Sequence, residues 1–148
     1  LDINDTSDVH TKDQEEVLLN AYLDSLESQD HDVDTTELGV YYVILEEGKG
    51  EYPETGDSLS VGYAGYFIDN LLFDSSEIHE ADGKWEFVLG ETPMIEGWNN
   101  GIKQVKEGGK IQFIVPSKLA YGETGSGIIG PYETLIFVVK LFDIIPAE

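Results

Sequence analysis

The chain has 148 residues, with 30 acidic side chains against eight lysines and no arginine, for a formal charge of −22. Apolar residues make up 41% and aromatic residues 11%, enough to fill the core of one ordinary domain with an appendage. The lack of arginine removes the planar fork that phosphate and guanine recognition favours, which makes nucleic acid and anionic membranes poor partners. Zero cysteines exclude disulfides, thiolate metal sites and cysteine nucleophiles. No apolar run approaches the roughly 20 residues that span a bilayer, so this segment is not expected to insert into a membrane.

The charge is uneven along the chain. Residues 1–37 hold 12 acidic residues and one lysine, residues 38–148 hold 18 and seven, so each part carries −11. This divides the chain into an acidic tail and helix extension (1–37) and a second unit (38–148). Residues 1–9 show no periodicity and read as a flexible tail. Thr11 and Gln14 then have capping-box spacing, and Asp13, Glu15 and Glu16 suit the positive end of a helix. Leu19, Tyr22, Leu23 and Leu26 form one stripe of a helix over about residues 12–28. Glu27 and Asp30 oppose the helix dipole at its far end, so this helix needs a surface to pack against.

From Gly39 onward the pattern is that of strands. Residues 39–48 (GVYYVILEEG) are β-rich and end on a glycine turn, and residues 58–68 alternate with Leu59, Val61 and Tyr63 on one face. A turn at Asp69-Asn70 leads into residues 71–76, and residues 85–90 form another short strand. Thr92-Pro93 resembles a helix cap with a first-turn proline, followed by Ile95, Trp98, Ile102 and Val105 on one helical face. Strand 110–116, a glycine-rich loop over 122–130 and a last strand over 134–146 complete the chain. Many strands and one short helix predict an α+β fold, a curved antiparallel sheet wrapped on that helix.

The usual catalytic inventories yield little. Asp74, Ser75, Ser76 and His79 include the residue types of a hydrolase triad, but neighbours in sequence need not converge in space, and a turn after a strand is the better reading. Asp30, Asp32 and Asp34 copy the start of a calcium loop. Its sixth and twelfth positions would be Thr35 and Tyr41 where glycine and glutamate are required, so a solvated acidic linker is favoured. GETGSG (122–127) lacks the lysine and following helix of a phosphate-binding loop. The aromatic residues could simply be core.

Their placement argues otherwise. VGYAGYFIDNLLFDSS, FVLGETPMIEGWNNGIKQVKEGGK, IVPSKLAYG and GPYETLIFVVKLFDI occur in that order between about Gly39 and Ile145. In order and spacing they resemble the FKBP-type peptidyl-prolyl cis-trans isomerases. GIIGPYETLIF is closer to the bacterial secreted, macrophage-infectivity-potentiator type than to the small cytosolic members.

The resemblance implies an apolar pocket that rotates X–Pro bonds in folding or unfolded polypeptides. Tyr63, Phe73 and Asp74 would form one wall, Trp98 the floor, and Tyr121 and Phe137 the far side, as the catalytic set. Trp85, Met94, Ile95, Ile128 and Ile129 would bind substrate, with the Ile95 N–H offered to a carbonyl. Such a protein needs no cofactor and no metal, and binds macrolides such as tacrolimus. Three departures stand out. The SGIIG loop is one residue shorter than in small cytosolic members and has Gly130 in place of a proline, which implies a looser lid. Pro93 replaces a residue that offers a contact in small members. The arginine often found after FDSS is absent, and counting without gaps His79 occupies its place. The competing reading is a proline-binding or holdase module with little turnover. In either case the acidic helix could contact clients or pair two chains. Every pocket residue lies beyond Gly39, so the extension is expected to leave peptide chemistry untouched. The acidic, arginine-free composition and a first residue other than Met suggest a precursor exported to the periplasm or outer membrane of a diderm bacterium.

Overall fold

The computed structural model describes residues 10–148; the expected tail over residues 1–9 lies outside them. In chain order the elements are helix α1 (Lys12–Ser28) and strands β1 (Asp34–Thr35), β2 (Tyr41–Glu46), β3 (Ser58–Phe67) and β4 (Leu72–Ser75). A single helical turn α2 (Ser76–His79), strand β5 (Trp85–Val88) and helix α3 (Glu96–Ile102) follow. The chain closes with β6 (Lys110–Val115), a 3-10 turn (Ser117–Leu119) and β7 (Leu135–Ile145). The strands form one antiparallel sheet in the order β1-β2-β6-β7-β3-β4, and β5 pairs with the first half of β3 while β4 pairs with its second half.

Strand alternation gives this sheet two buried faces. Ile111, Phe113 and Val115 of β6 and Leu135, Phe137 and Val139 of β7 point inward, onto Trp98 and Ile102 of α3. Two glycines let α3 lie close. A Cβ on Gly101 would stand 2.5 Å from the Phe113 ring, and one on Gly97 would run into the Val115 side chain. Ile114 of β6, Ile136 of β7 and Val43 of β2 point outward, where Leu19 and Leu26 of α1 cover them.

Helix α1 has the expected capping box: Thr11 Oγ1 accepts from the Gln14 N–H at 3.1 Å, and Gln14 Oε1 accepts from the Thr11 N–H at 2.9 Å. Its last turn carries no basic residue, and the sheet supplies the surface it needs. Burying each leucine is worth about 1.5–3 kcal/mol, and Tyr22 adds a polar tie by accepting from Gln112 Nε2 at 2.7 Å. The surface that the apolar stripe was expected to need is therefore the protein's own sheet.

Two local expectations change. Thr92 does not cap a helix. Its hydroxyl accepts from the Val88 N–H at 3.0 Å, closing the turn after β5, and α3 starts only after Ile95. Val105, expected on the helix, lies beyond its end but is still buried in the core. Strand β1 was not foreseen. Asp34, a ligand in the copied calcium pattern, pairs there with Tyr42.

Candidate functional site

The inner face does not close completely. Between β3, β4, the start of α3 and the loop before β7 lies a cavity of about 240 Å³. Trp98 forms its floor and is almost fully buried, at 1% exposure. Tyr63, Phe137 and Phe87 meet its indole edge-on, with centroid distances of 5.6, 5.2 and 5.7 Å. Edge-to-face contacts suit aromatic quadrupoles and lock ring orientation. Trp85 stacks on Phe87 at 4.8 Å and meets Tyr63 edge-on at 5.8 Å, which extends the wall toward solvent. Phe73 meets Phe137 at 5.9 Å over Gly65, where an added Cβ would come within 2.7 Å of the Phe73 ring.

One polar group sits at the edge of this apolar space. Asp74 Oδ2 accepts from the Tyr63 hydroxyl at 2.9 Å, and Oδ1 accepts from the Ser75 N–H at 2.9 Å. His79 Nε2 lies 2.7 Å from the same Oδ1, in the place the sequence assigned to a cation. Burial, and then the hydrogen bond and charge of Asp74, push the Tyr63 hydroxyl well above the ordinary tyrosine range, so it remains a donor. The triad reading fails on geometry. Ser76 Oγ donates to the Gly83 carbonyl at 2.6 Å and accepts from the Tyr63 N–H at 2.9 Å, a structural brace between β3 and the turn.

Of the eleven residues singled out from sequence, ten line this cavity: Tyr63, Phe73, Asp74, Trp85, Met94, Ile95, Trp98, Tyr121, Ile129 and Phe137. Ile128 does not. It is 74% exposed and faces a neighbouring groove with Phe67, Ile68 and Leu71, because the short Ser126–Ile129 bridge turns it outward while burying Ile129. Sequence reasoning missed Leu135, which also lines the cavity. Its signal was its place two residues before Phe137 on one face of β7. The neighbouring groove is larger, at about 580 Å³, but His10, Asp69, Gly130 and Glu133 are among its nine lining residues and it holds no aromatic cluster. Among the described residues, no group of three or more His, Cys, Asp or Glu could hold a metal ion.

The profile of a family described as FKBP-type peptidyl-prolyl cis-trans isomerase matches residues 49–142. The chain is 41% identical over 115 residues to the FKBP-type peptidyl-prolyl cis-trans isomerase FkpA of Escherichia coli K12, covering 78% of this chain and 41% of that protein. It is 37% identical over 113 residues to the peptidyl-prolyl cis-trans isomerase Mip of Coxiella burnetii, covering 76% and 47%. It thus spans less than half the length of these relatives. The crystal structure of Escherichia coli FkpA superposes with a TM-score of 0.75 at 36% identity, over 90% of this chain and 62% of that one. A peptidyl-prolyl isomerase from Pseudomonas syringae superposes with a TM-score of 0.71 at 26% identity, over 88% and 96%.

Proposed function

The chain belongs to the FKBP-type peptidyl-prolyl cis-trans isomerase family, and from that premise we propose that it accelerates rotation about X–Pro bonds in folding or unfolded polypeptides. Rotation of such an amide faces a barrier of about 18–20 kcal/mol and takes tens of seconds or more unaided. At the twisted transition state conjugation is lost and the carbonyl is less polar than in the planar amide. A dry aromatic cavity disfavours the planar form relative to the twisted one, which is differential binding and needs no base or nucleophile. A millionfold acceleration asks for about 8 kcal/mol at 1.36 per tenfold.

The observation that carries this reading is the cavity over the buried Trp98 ring, walled mostly by aromatic and aliphatic side chains with the Tyr63–Asp74 pair among them. In this reading the proline ring rests on Trp98 between Tyr63 and Phe137, with Phe73 and Ile129 closing the sides. Ile95 immediately precedes α3, where an N–H stands outside the intrahelical ladder, and that N–H meets the substrate carbonyl. Trp85 and Met94 cover the residue before proline, and Asp74 and Tyr121 orient the strained carbonyls. The family binds proline-containing segments and macrolides, and the same cavity takes tacrolimus here. The likeness to secreted bacterial members supports an extracytoplasmic location, in the periplasm or at the outer membrane.

A peptide isomerisation assay tests the proposal. The expected result is faster cis–trans exchange of a peptide with an apolar residue before proline, abolished by tacrolimus. Exchange at the solvent rate by folded protein would overturn it and leave a proline-binding module.

A further inference from the structure

The loop over residues 117–134 carries Tyr121 and Ile129 over the cavity. Its own turns fold it locally, with the Gly125 N–H on the Tyr121 carbonyl and Ser126 paired to Ile129, and its two ends remain to be fixed to the rest of the protein. It contains glycines 122, 125, 127 and 130, and the first three adopt positive φ. Both of its ends meet at one side chain of the distant helix α1. Glu15 Oε2 accepts from the Ser117 N–H at 2.8 Å and from Thr134 Oγ1 at 2.7 Å, and Oε1 accepts from Ser117 Oγ at 2.7 Å. All three residues are buried: Glu15 is 9% exposed, Ser117 4% and Thr134 1%. Hydrogen bonds to an ionised acceptor are short and about twice as strong as neutral ones, and a carboxylate in the first turns of a helix gains from the dipole.

These bonds close a ring. The Ser117 carbonyl accepts from the Gly122 N–H at 2.8 Å, the Gly122 carbonyl accepts from the Tyr132 N–H at 2.9 Å, and Thr134 returns to Glu15. Tyr121 lies inside it, one residue from Gly122. Apolar packing at the joint is incomplete: a hollow of about 300 Å³ lined by Lys12, Glu15, Tyr41, Pro116 and Tyr132 lies between α1 and the loop ends. Leu119 and Leu135 anchor the loop ends to the core, and the polar bonds are what tie both ends to α1. One residue before the helix cap, His10 Nδ1 approaches the Tyr132 carbonyl at 3.4 Å and adds a second contact from the same helix end.

We infer that Glu15 is a positioning residue for the isomerase pocket: through Ser117 and Thr134 the N-terminal helix clamps both ends of the loop that lays Tyr121 and Ile129 over the substrate. The extension is then a working part of the site. The inference rests on the isomerase reading for its kinetic consequence, and on the geometry alone for its effect on the loop.

The test uses the full chain with Glu15→Ala, Glu15→Gln and, as a control for loosened helix docking, Leu26→Ala. The readouts are KM and kcat for a proline peptide, amide exchange at Gly122 and Tyr132, and Tm. Glu15→Ala is expected to raise KM about tenfold and to speed both amides by about tenfold or more. Glu15→Gln, which keeps one acceptor oxygen and can donate to the Ser117 hydroxyl, restores most of both. Leu26→Ala lowers Tm while leaving KM and loop exchange near wild type. Wild-type KM and exchange in Glu15→Ala would overturn the inference, as would equal changes in Glu15→Ala and Leu26→Ala at matched loss of Tm. If Glu15→Ala fails to fold, Ser117→Ala combined with Thr134→Val carries the same expectation and the same refutation. A wild type without turnover would sink the isomerase reading, and loop exchange would still decide for or against the clamp.

Discussion

The two faces of the sheet are built from different materials. The inner face meets α3 through large rings, with Trp98 touching Tyr63, Trp85, Phe87, Phe113 and Phe137 edge-on. The outer face meets α1 chiefly through aliphatic side chains, Leu19 and Leu26 on Val43, Ile114 and Ile136, with Tyr22, Tyr41 and Tyr66 half-buried around them and one buried carboxylate at the margin. Rigid rings that meet edge-on leave a shaped vacancy between them, whereas the branched aliphatic chains at the centre of the outer face interdigitate and leave a hollow only at the margin beside Glu15. The inner face is therefore shaped to hold a ligand, while the leucine contacts of the outer face hold the fold. Replacing a ring inside should cost activity first, and replacing a leucine outside should cost stability first.

The largest expected effect is at the floor of the cavity. Trp98→Leu should lower kcat/KM for a proline peptide by about 100-fold, close to 2.7 kcal/mol at 1.36 per tenfold. The indole N–H is buried with no partner among the described residues, so the substitution gives up ring contacts without breaking a hydrogen bond. Leucine keeps part of the buried volume, and circular dichroism should still report a folded sheet. Activity within threefold of wild type would show that the floor ring is core alone.

The same contrast governs what could be read from the sequence. The inner face was legible because its residues recur at family spacing, and ten of eleven expected side chains converge on one cavity. Ile128 failed because adjacent residues in a tight bridge point opposite ways, and only one of Ile128 and Ile129 can face inward. On the outer face the stripe Leu19, Tyr22, Leu23, Leu26 was legible from its period, but its destination was not, since periodicity says that a face is buried and not against what. Glu15 was read as a partner of the helix dipole. Its place four residues before Leu19, on the stripe itself, was the available sign that this carboxylate is buried and needs donors.

Leu26→Ala sharpens the comparison from the other side. Removing this buried side chain should lower stability by about 2–3 kcal/mol and Tm by roughly 5–10 °C. Peptide kcat/KM measured well below the transition should stay within about twofold. Calorimetry with the isomerisation assay checks both. Turnover that falls while the protein is fully folded would mean the two faces are not separable.

Tyr63 gives a smaller effect, visible only in alkali. Its hydroxyl proton is held more tightly in the folded protein than in the unfolded chain, through burial first and Asp74 second. The stability this contributes is complete below the ordinary tyrosine value near pH 10. It is lost as pH rises from there toward the folded value, because the unfolded chain releases its proton first. Tyr63→Phe has no such proton, so the stability difference between wild type and variant should be constant from pH 7 to 9 and shift against wild type above about pH 10. Urea unfolding at pH 8, 9.5 and 10.5 measures it. A constant difference throughout would mean that neither burial nor Asp74 tightens the hold on the phenol proton.

The smallest effect belongs to His79, at the rim where the inner face meets solvent. It shares Asp74 Oδ1 with the Ser75 N–H, and the side chains of His79 and Asp74 are 56% and 35% exposed. A pair this open is worth about 0–1 kcal/mol, or up to about fivefold in affinity. Arginine would hold a full charge beside Asp74 at any working pH, whereas glutamine offers a neutral donor of similar reach. At pH 8, tacrolimus affinity should therefore rank His79→Arg, wild type, His79→Gln, spanning about threefold. If the ranking arises from Asp74, it should vanish in an Asp74→Asn background, where no carboxylate remains to be held; a ranking that survives there would place the effect elsewhere on the rim. Three equal affinities with Asp74 intact would leave Tyr63 and the Ser75 N–H as the groups that fix Asp74, and would make the rim independent of the rings beneath it.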